Sequence, residues 1–219
     1  MTWMLTINAR EHDLTPGAAA LNAPTIAEIA HSLALINRFN GHTSRPYSVA
    51  EHSLLVADLA AADGASAIVQ LAALMHDAHE AFAGDVASPV KWVVGEAWSA
   101  FEHSQATALH HRFGLRTAMH AHRAAIRRWD LIALATERRD LTAWDAAKHR
   151  PWMILDNPAA PVLPASTYLM TPWHTHGMQW TDWRDEFLKR FDMLTGDTYI
   201  TTHGPGAELA DHATDWSAA

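Results

Sequence analysis

Residues 71–91 read Leu-Ala-Ala-Leu-Met-His-Asp-Ala-His-Glu-Ala-Phe-Ala-Gly-Asp-Val-Ala-Ser-Pro-Val-Lys. The stretch opens as an apolar helical turn and then sets His76, Asp77, His79 and Glu80 almost side by side. On a continuous helix, positions i and i+4 share a face, so His76 and Glu80 are expected one turn apart. Asp77 follows His76 by roughly 100° of rotation, within reach of the same ion. Carboxylates and imidazoles are costly to bury without a partner. The bland alternative is an exposed polar helix end. Leu71, Leu74 and Met75 mark a core helix instead, and a divalent metal ion is the simplest partner for this set.

Outward from this stretch, the chain reads as a run of helices. Thr25, with Glu28 three residues on, forms a capping box for a helix through Ile26, Ile29, Ala30, Leu33 and Ile36, with Asn40-Gly41 as its expected end. Ser48 and Glu51 cap the next helix, whose apolar face carries Val49, Leu55, Val56 and Leu59 together with His52. Ser66 opens a helix expected to run unbroken to about Phe82, with Gly84 as its breaker. A further helix over 96–113 is expected to bury Trp98, Phe101, Ala108 and Leu109, leaving His103, His110 and His111 on the surface. The longest helical run is expected over 120–143, with Asp130 inside its apolar stripe and Glu137-Arg138-Arg139-Asp140 as a solvated end. Residues 148–172, with Pro151, Pro158, Pro161 and Pro164, read as an irregular cover. Trp152, Tyr168 and Trp173 are placed there to pack on the core or roof a pocket. Trp183, Phe187, Phe191 and Leu194 return to a helical period. Trp3–Ile7 reads as a short strand, and His12-Asp13 as a chance pair in polar surroundings.

The expected architecture is an all-α helical bundle in a single domain over 1–199. Its metal core lies at about 26–140, a covering segment and last helix at 148–195, and a flexible tail at 200–219. The 219 residues suffice for one real core. Cysteine is absent, which excludes disulfides and thiolate metal sites. The net charge of −8 argues against binding nucleic-acid polymers through their backbone. No run reaches membrane-spanning length, and Met1–Arg10 lacks the basic and apolar blocks of a signal peptide, so a cytoplasmic location is expected.

His52, His76, Asp77 and Asp130 are thus polar positions in apolar helical faces. Two imidazoles and two carboxylates suit a borderline or hard divalent ion with open positions for water and substrate oxygens. Structural zinc normally closes its shell, so an open mixed shell points to hydrolytic chemistry. The order His…His-Asp…Asp across helices resembles the HD-domain phosphohydrolase superfamily. Leu35–Phe39, Glu51–Leu54 and Met75–Lys91 are similar to its YfbR-like 5′-deoxynucleotidase branch and to phage dATP triphosphohydrolases.

The resemblance implies one divalent ion (Co, Mn, Zn, Fe or Mg) held by His52, His76, Asp77 and Asp130. It implies that Arg38 binds phosphate, that Phe39 helps place the nucleotide, and that Glu80 exchanges a proton. Asp85 would then lie near the sugar 3′-OH, with Asp85, Val86, Ala87 and Ser88 lining the sugar-phosphate site. Lys91 is a second candidate cation, or else an exposed lysine. Glu80, Asp77 and Arg38 are the catalytic set. His79 is assigned to packing or to support of the ligands. Ala78, His79 and Glu80 stand where larger HD subfamilies carry x-Gly-Lys, which separates this chain from binuclear cyclic-dinucleotide chemistry. The expected reaction is hydrolysis of a deoxynucleoside 5′-monophosphate. The alternatives are a dNTP triphosphohydrolase and a non-catalytic nucleotide sensor. A homodimer is the family's common assembly.

Overall fold

Helix N-caps set the frame. Thr25 Oγ1 accepts from the Glu28 amide at 3.3 Å, and Glu28 Oε2 accepts from the Thr25 amide at 2.8 Å. Such a reciprocal cap contributes on the order of 1 kcal/mol. Ser48 Oγ accepts from the Glu51 amide at 3.2 Å, a one-way cap, since the Glu51 carboxylate binds Arg45. The computed structural model describes residues 2–203 apart from Pro16, Trp173, Thr175 and His176. The elements in order are β1 (Trp3–Leu5), β2 (Glu11–Asp13), α1 (Ile26–Leu35), α2 (Val49–Ala62), α3 (Ala67–Leu74), α4 (Glu80–Ala83), α5 (Ser88–Val94), α6 (Glu96–Arg112), α7 (Arg116–Ala121), α8 (Arg123–Leu141) and α9 (Trp180–His203). The fold is all-α, with β1 and β2 forming one short antiparallel pair that sets Met4 opposite His12.

Helix α2 is central. It is buried at Val49–Ala57 and again at Ala60, and packs against α1, α3, α8 and α9. Small side chains at Ala50, Ala57 and Ala60 let neighbouring helices approach its backbone. One core joins α1, α2, α3 and α9 through Ile29, Leu33, Leu74 and Phe187. A second joins α2, α3 and α8 through Val56, Ala72, Trp129 and Ala133. Each fully buried Leu, Ile or Phe contributes roughly 1.5–3 kcal/mol. None of the described helices is long and apolar enough to cross a membrane.

Several expectations are corrected. Helix α1 stops at Leu35, because Ile36 turns extended and residues 36–38 pair with 47–49: Arg38 N donates to Tyr47 O at 2.8 Å and Val49 N to Ile36 O at 3.0 Å. Phe39, Asn40 and Gly41 then take consecutive left-handed conformations, at φ 55°, 51° and 77°. The Asn-Gly signal therefore serves that reversal rather than a helix end.

The helix expected over 66–82 is two helices. Residues 75–79 pass through three-residue turns, with Ala78 N donating to Met75 O at 3.1 Å and Glu80 N to Asp77 O at 2.9 Å. On α6 the buried stripe is Gln105 and Leu109, while Trp98, Phe101 and Ala108 are only half-buried. The strand ends at Leu5, where Thr6 N donates to Arg10 O and Ala9 turns left-handed. His12 is not a chance surface residue: it is buried, stacks on Phe82 with ring centroids 3.7 Å apart, and faces Gln105 Oε1 at 3.3 Å. The run expected over 120–143 divides into α7 and α8, and α9 is longer than either.

The described residues among 142–179 are largely irregular and cover the C-terminal half of α8. Side chains staple them there. Arg138 pairs with Asp156 at 2.6 and 2.8 Å, Asp140 accepts from the Leu169 amide at 2.9 Å, and Thr136 Oγ1 accepts from the Ala165 amide at 2.8 Å. The end of α8 is therefore enclosed, not solvated. The Trp152 ring centroid stands 6.3 Å from that of Phe39, whereas Tyr168 is 57% exposed. Trp173 and residues 204–219, which hold most of the expected tail, lie outside the described residues.

Candidate metal and anion site

His52 projects from the middle of α2, His76 and Asp77 from the turns after α3, and Asp130 from α8. Their polar atoms converge. His52 Nε2 lies 3.3 Å from His76 Nε2, 3.5 Å from Asp77 Oδ2 and 3.5 Å from Asp130 Oδ1, while His76 Nε2 lies 3.2 Å from Asp77 Oδ2. Atoms bound side by side to one ion at about 2.1 Å stand roughly 3.0–3.4 Å apart, so the spacing fits. His52, His76 and Asp130 each place one donor atom within 4.8 Å of the others.

The second ring nitrogens decide what this cluster needs. His52 Nδ1 lies 2.5 Å from Glu137 Oε1, and His76 Nδ1 lies 2.8 Å from the Ala73 carbonyl. Both partners only accept, so each Nδ1 donates its proton to them and each Nε2 faces inward. Two imidazole nitrogens and the carboxylates beside them stand close enough together to hold a cation. The side chains present therefore fit a divalent ion. Without one, a proton serves: burial and Arg38 oppose it, but Glu137, Asp130 and Asp77 push His52 well above the ordinary histidine range. Burial would raise Asp77 as well, but His76 and His52 hold it well below the usual carboxylate range.

Beside this cluster lies Arg38, 8% exposed. Its Nε and Nη2 reach Glu137 Oε2 at 3.3 and 3.2 Å. Its Nη1 stands 3.7 Å from Asp77 and 4.0 Å from Asp85, too far for hydrogen bonds. That edge of the guanidinium faces the cluster with donors to spare. Phe39 continues the wall, its ring centroid 5.6 Å from the guanidinium carbon. Burial and the charge of Asp77 raise the Asp85 carboxyl against the pull of Arg38. Val86 and Ala87 are half-buried and Ser88 is exposed where α5 begins, with no polar contact between them and the cluster among the described residues.

Glu80 does not stack over His76, because the chain leaves the helix between them. It joins a separate buried group with His79 and Glu102. Burial, Asp77 and Asp85 raise the Glu80 carboxyl well above its usual range, and its Oε2 has no hydrogen-bond partner. Lys91 is not a free surface lysine: its side chain is 27% exposed, with Nζ 2.5 Å from Glu102 and 4.0 Å from Glu80. His79 Nε2 lies 3.4 Å from Glu102. Helix α6 thus carries a carboxylate at this site that its sequence did not signal. His110 is also not a plain surface residue: burial and the neighbouring histidines lower it to about 4. Two surface depressions lie elsewhere, one lined by Asp63, Arg128 and Trp129, the other by Trp144, Arg150 and Trp152.

Sequence reading missed Glu137 as well as Glu102. Glu137 is wholly buried and touches His52, Arg38 and Tyr47. One signal pointed to it: Glu137 follows Asp130 by seven residues, two helical turns on the same face of α8.

Fold and cluster define an all-α protein whose buried imidazoles and carboxylates can hold a divalent ion. No protein-family model matches the chain. It is 38% identical over 128 residues to an uncharacterized protein of Rhodobacter capsulatus, covering 56% of this chain and 65% of that protein, just under two thirds of its length. It is 34% identical over 171 residues to the uncharacterized protein YfdR of Escherichia coli, covering 78% of this chain and 84% of YfdR. The chain belongs to the family of YfdR.

Proposed function

We propose that this chain is an HD-domain phosphohydrolase that cleaves the 5′-phosphate ester of deoxynucleotides, with deoxynucleoside monophosphates as the first substrate class. The observation that carries the reading is the convergence of His52, His76, Asp77 and Asp130 beside the open edge of Arg38. His52, His76, Asp77 and Asp130 would hold the ion. Once bound, it supplies Lewis acidity toward a phosphoryl oxygen and toward the attacking water.

The protein's own groups do the rest. Arg38 Nη1 takes a phosphate oxygen and offsets charge that grows in the transition state. Water attacks phosphorus, and the bond from phosphorus to the nucleoside 5′-oxygen breaks. Glu80 moves a proton between water and the departing 5′-oxygen. Lys91, braced by Glu102, adds positive charge beside Glu80. Phe39 and Trp152 offer ring faces to the nucleoside. Substrate release and any pairing of two copies belong to the same proposal.

The test is a panel of ribo- and deoxynucleotides at each phosphorylation level, assayed in EDTA and with Co, Mn, Zn, Fe or Mg. Orthophosphate from dAMP or a related monophosphate, lost in EDTA and restored by one of the ions, is the expected result. Tripolyphosphate from dATP would move the substrate class to triphosphates. Nucleotide binding without turnover under any ion would overturn the enzyme reading in favour of a sensor.

A further inference from the structure

We infer that Glu137 is a positioning residue that orients a metal-binding imidazole and an anion-binding guanidinium together, and so couples ion binding to phosphate binding. This rests on the ion and phosphate site proposed above. The Glu137 carboxylate is 0% exposed and its four acceptor positions are all used. Oε1 accepts from His52 Nδ1 at 2.5 Å and from the Tyr47 hydroxyl at 3.0 Å. Oε2 accepts from Arg38 Nε at 3.3 Å and Nη2 at 3.2 Å. The first contact fixes the proton on His52 Nδ1 and turns Nε2 toward His76, Asp77 and Asp130. The second docks one edge of Arg38 and leaves Nη1 projecting toward Asp77 and Asp85.

A fully buried carboxylate needs its lone pairs satisfied whatever its role, and what distinguishes Glu137 is which groups satisfy them. Here a single group on α8 sets the tautomer of a side chain on α2 and the direction of a side chain after α1. When an ion draws His52 inward, Glu137 follows, and the Arg38 edge it holds follows too. Partners behind the ligands commonly tune metal affinity by about 10- to 100-fold.

Glu137→Gln keeps volume but has one acceptor oxygen instead of two. Its amide nitrogen must face either His52 Nδ1–H or the Arg38 fork, a donor against a donor. Wild-type and E137Q protein, stripped of metal, are titrated with Co(II) by visible absorption, with and without inorganic phosphate, and with phosphate alone by calorimetry. The expected result is Co(II) affinity lowered about 10- to 100-fold in the variant. Phosphate tightens Co(II) binding to the wild type and does not do so in E137Q. Equal affinities and equal tightening in the two proteins would overturn the role of Glu137 and leave the proposed function standing. A wild type that binds neither Co(II) nor phosphate would instead remove the proposed function.

A measurement on the wild type alone covers an E137Q protein that fails to fold. Proton–nitrogen spectra are expected to show the His52 Nδ1 proton in the metal-free and the zinc-loaded protein alike, shifted far downfield by its short bond to Glu137; an Nδ1 proton without that shift would overturn the positioning role.

Discussion

Replacing Glu28 by glutamine tests how the N-terminal hairpin holds the site. Glu28 caps α1, and it also binds the hairpin: Thr6 Oγ1 donates to it at 2.6 Å, Arg10 Nε donates at 3.1 Å, and Arg10 Nη2 forms a further ion pair. The hairpin carries His12, which stacks on Phe82, two residues after Glu80 on α4. Burial alone would raise the Glu28 carboxyl. Arg10, the Thr25 amide and the Thr6 hydroxyl outweigh it and bring the group from 4.5 down to about 2. That drop sets a ceiling of about 3 kcal/mol on its contribution to stability. The Arg10 side chain is 43% exposed, so water screens its share, and about 2 kcal/mol is the working figure. Because the folded value is depressed, the stabilisation is complete above pH 4.5 and disappears as pH falls toward 2. Glu28→Gln is therefore expected to lower the melting temperature by about 4–8 °C at pH 7. Urea unfolding of both proteins at steps from pH 7 to pH 2 is the assay. The two stability curves should converge at the acid end, and curves that stay parallel through that window would refute the assignment of Glu28 as a charged staple.

Other perturbations address the chemistry directly. Glu80→Gln, which keeps the buried volume, is expected to retain Co(II) but to cut phosphate release about 100-fold or more, checked by turnover and metal analysis on the same sample. Asp77→Asn should lose bound metal along with activity, and full metal content by elemental analysis would remove Asp77 from the ligand set. Loading the metal-free protein with an ion at about a hundred times its Kd should stabilise it by roughly 2.7 kcal/mol. A thermal scan in which none of the five ions raises the melting temperature would contradict a preformed site. Glu102→Gln releases Lys91 from its 2.5 Å ion pair; the expected effect is a weaker KM for nucleotide with kcat changed less, and equal losses in both would place Lys91 in the chemistry instead.

What could be read from the chain, and what could not, follows from where the information lies. His52, His76, Asp77 and Asp130 stood out because each breaks an apolar helical face, a local pattern that burial makes costly without a partner. The capping box at Thr25 and the N-cap at Ser48 were legible for the same local reason, although the Glu51 carboxylate expected to complete a box at Ser48 binds Arg45 instead. The break at 75–79 was not, because no Gly or Pro marks it. The turns there are accompanied by a side-chain bond from His76 Nδ1 to the Ala73 carbonyl, which competes with the helix ladder. That break also separates Glu80 from His76, so a face computed for a straight helix put the acid in the wrong place. Glu137 was hidden by its neighbours. Glu-Arg-Arg-Asp has the alternating sign of a solvated helix end, and only the aperiodic cover of residues 142–179 makes it an interior. Arg138 and Arg139 turn outward to bind that cover, at Asp156 and at the Ala165 and Thr167 carbonyls, while Glu137 turns inward to His52 and Arg38. One helical turn thus anchors the cover on one side and orients the site on the other. A loosened cover should therefore disturb the proposed ion site through Glu137 before it disturbs any ligand directly.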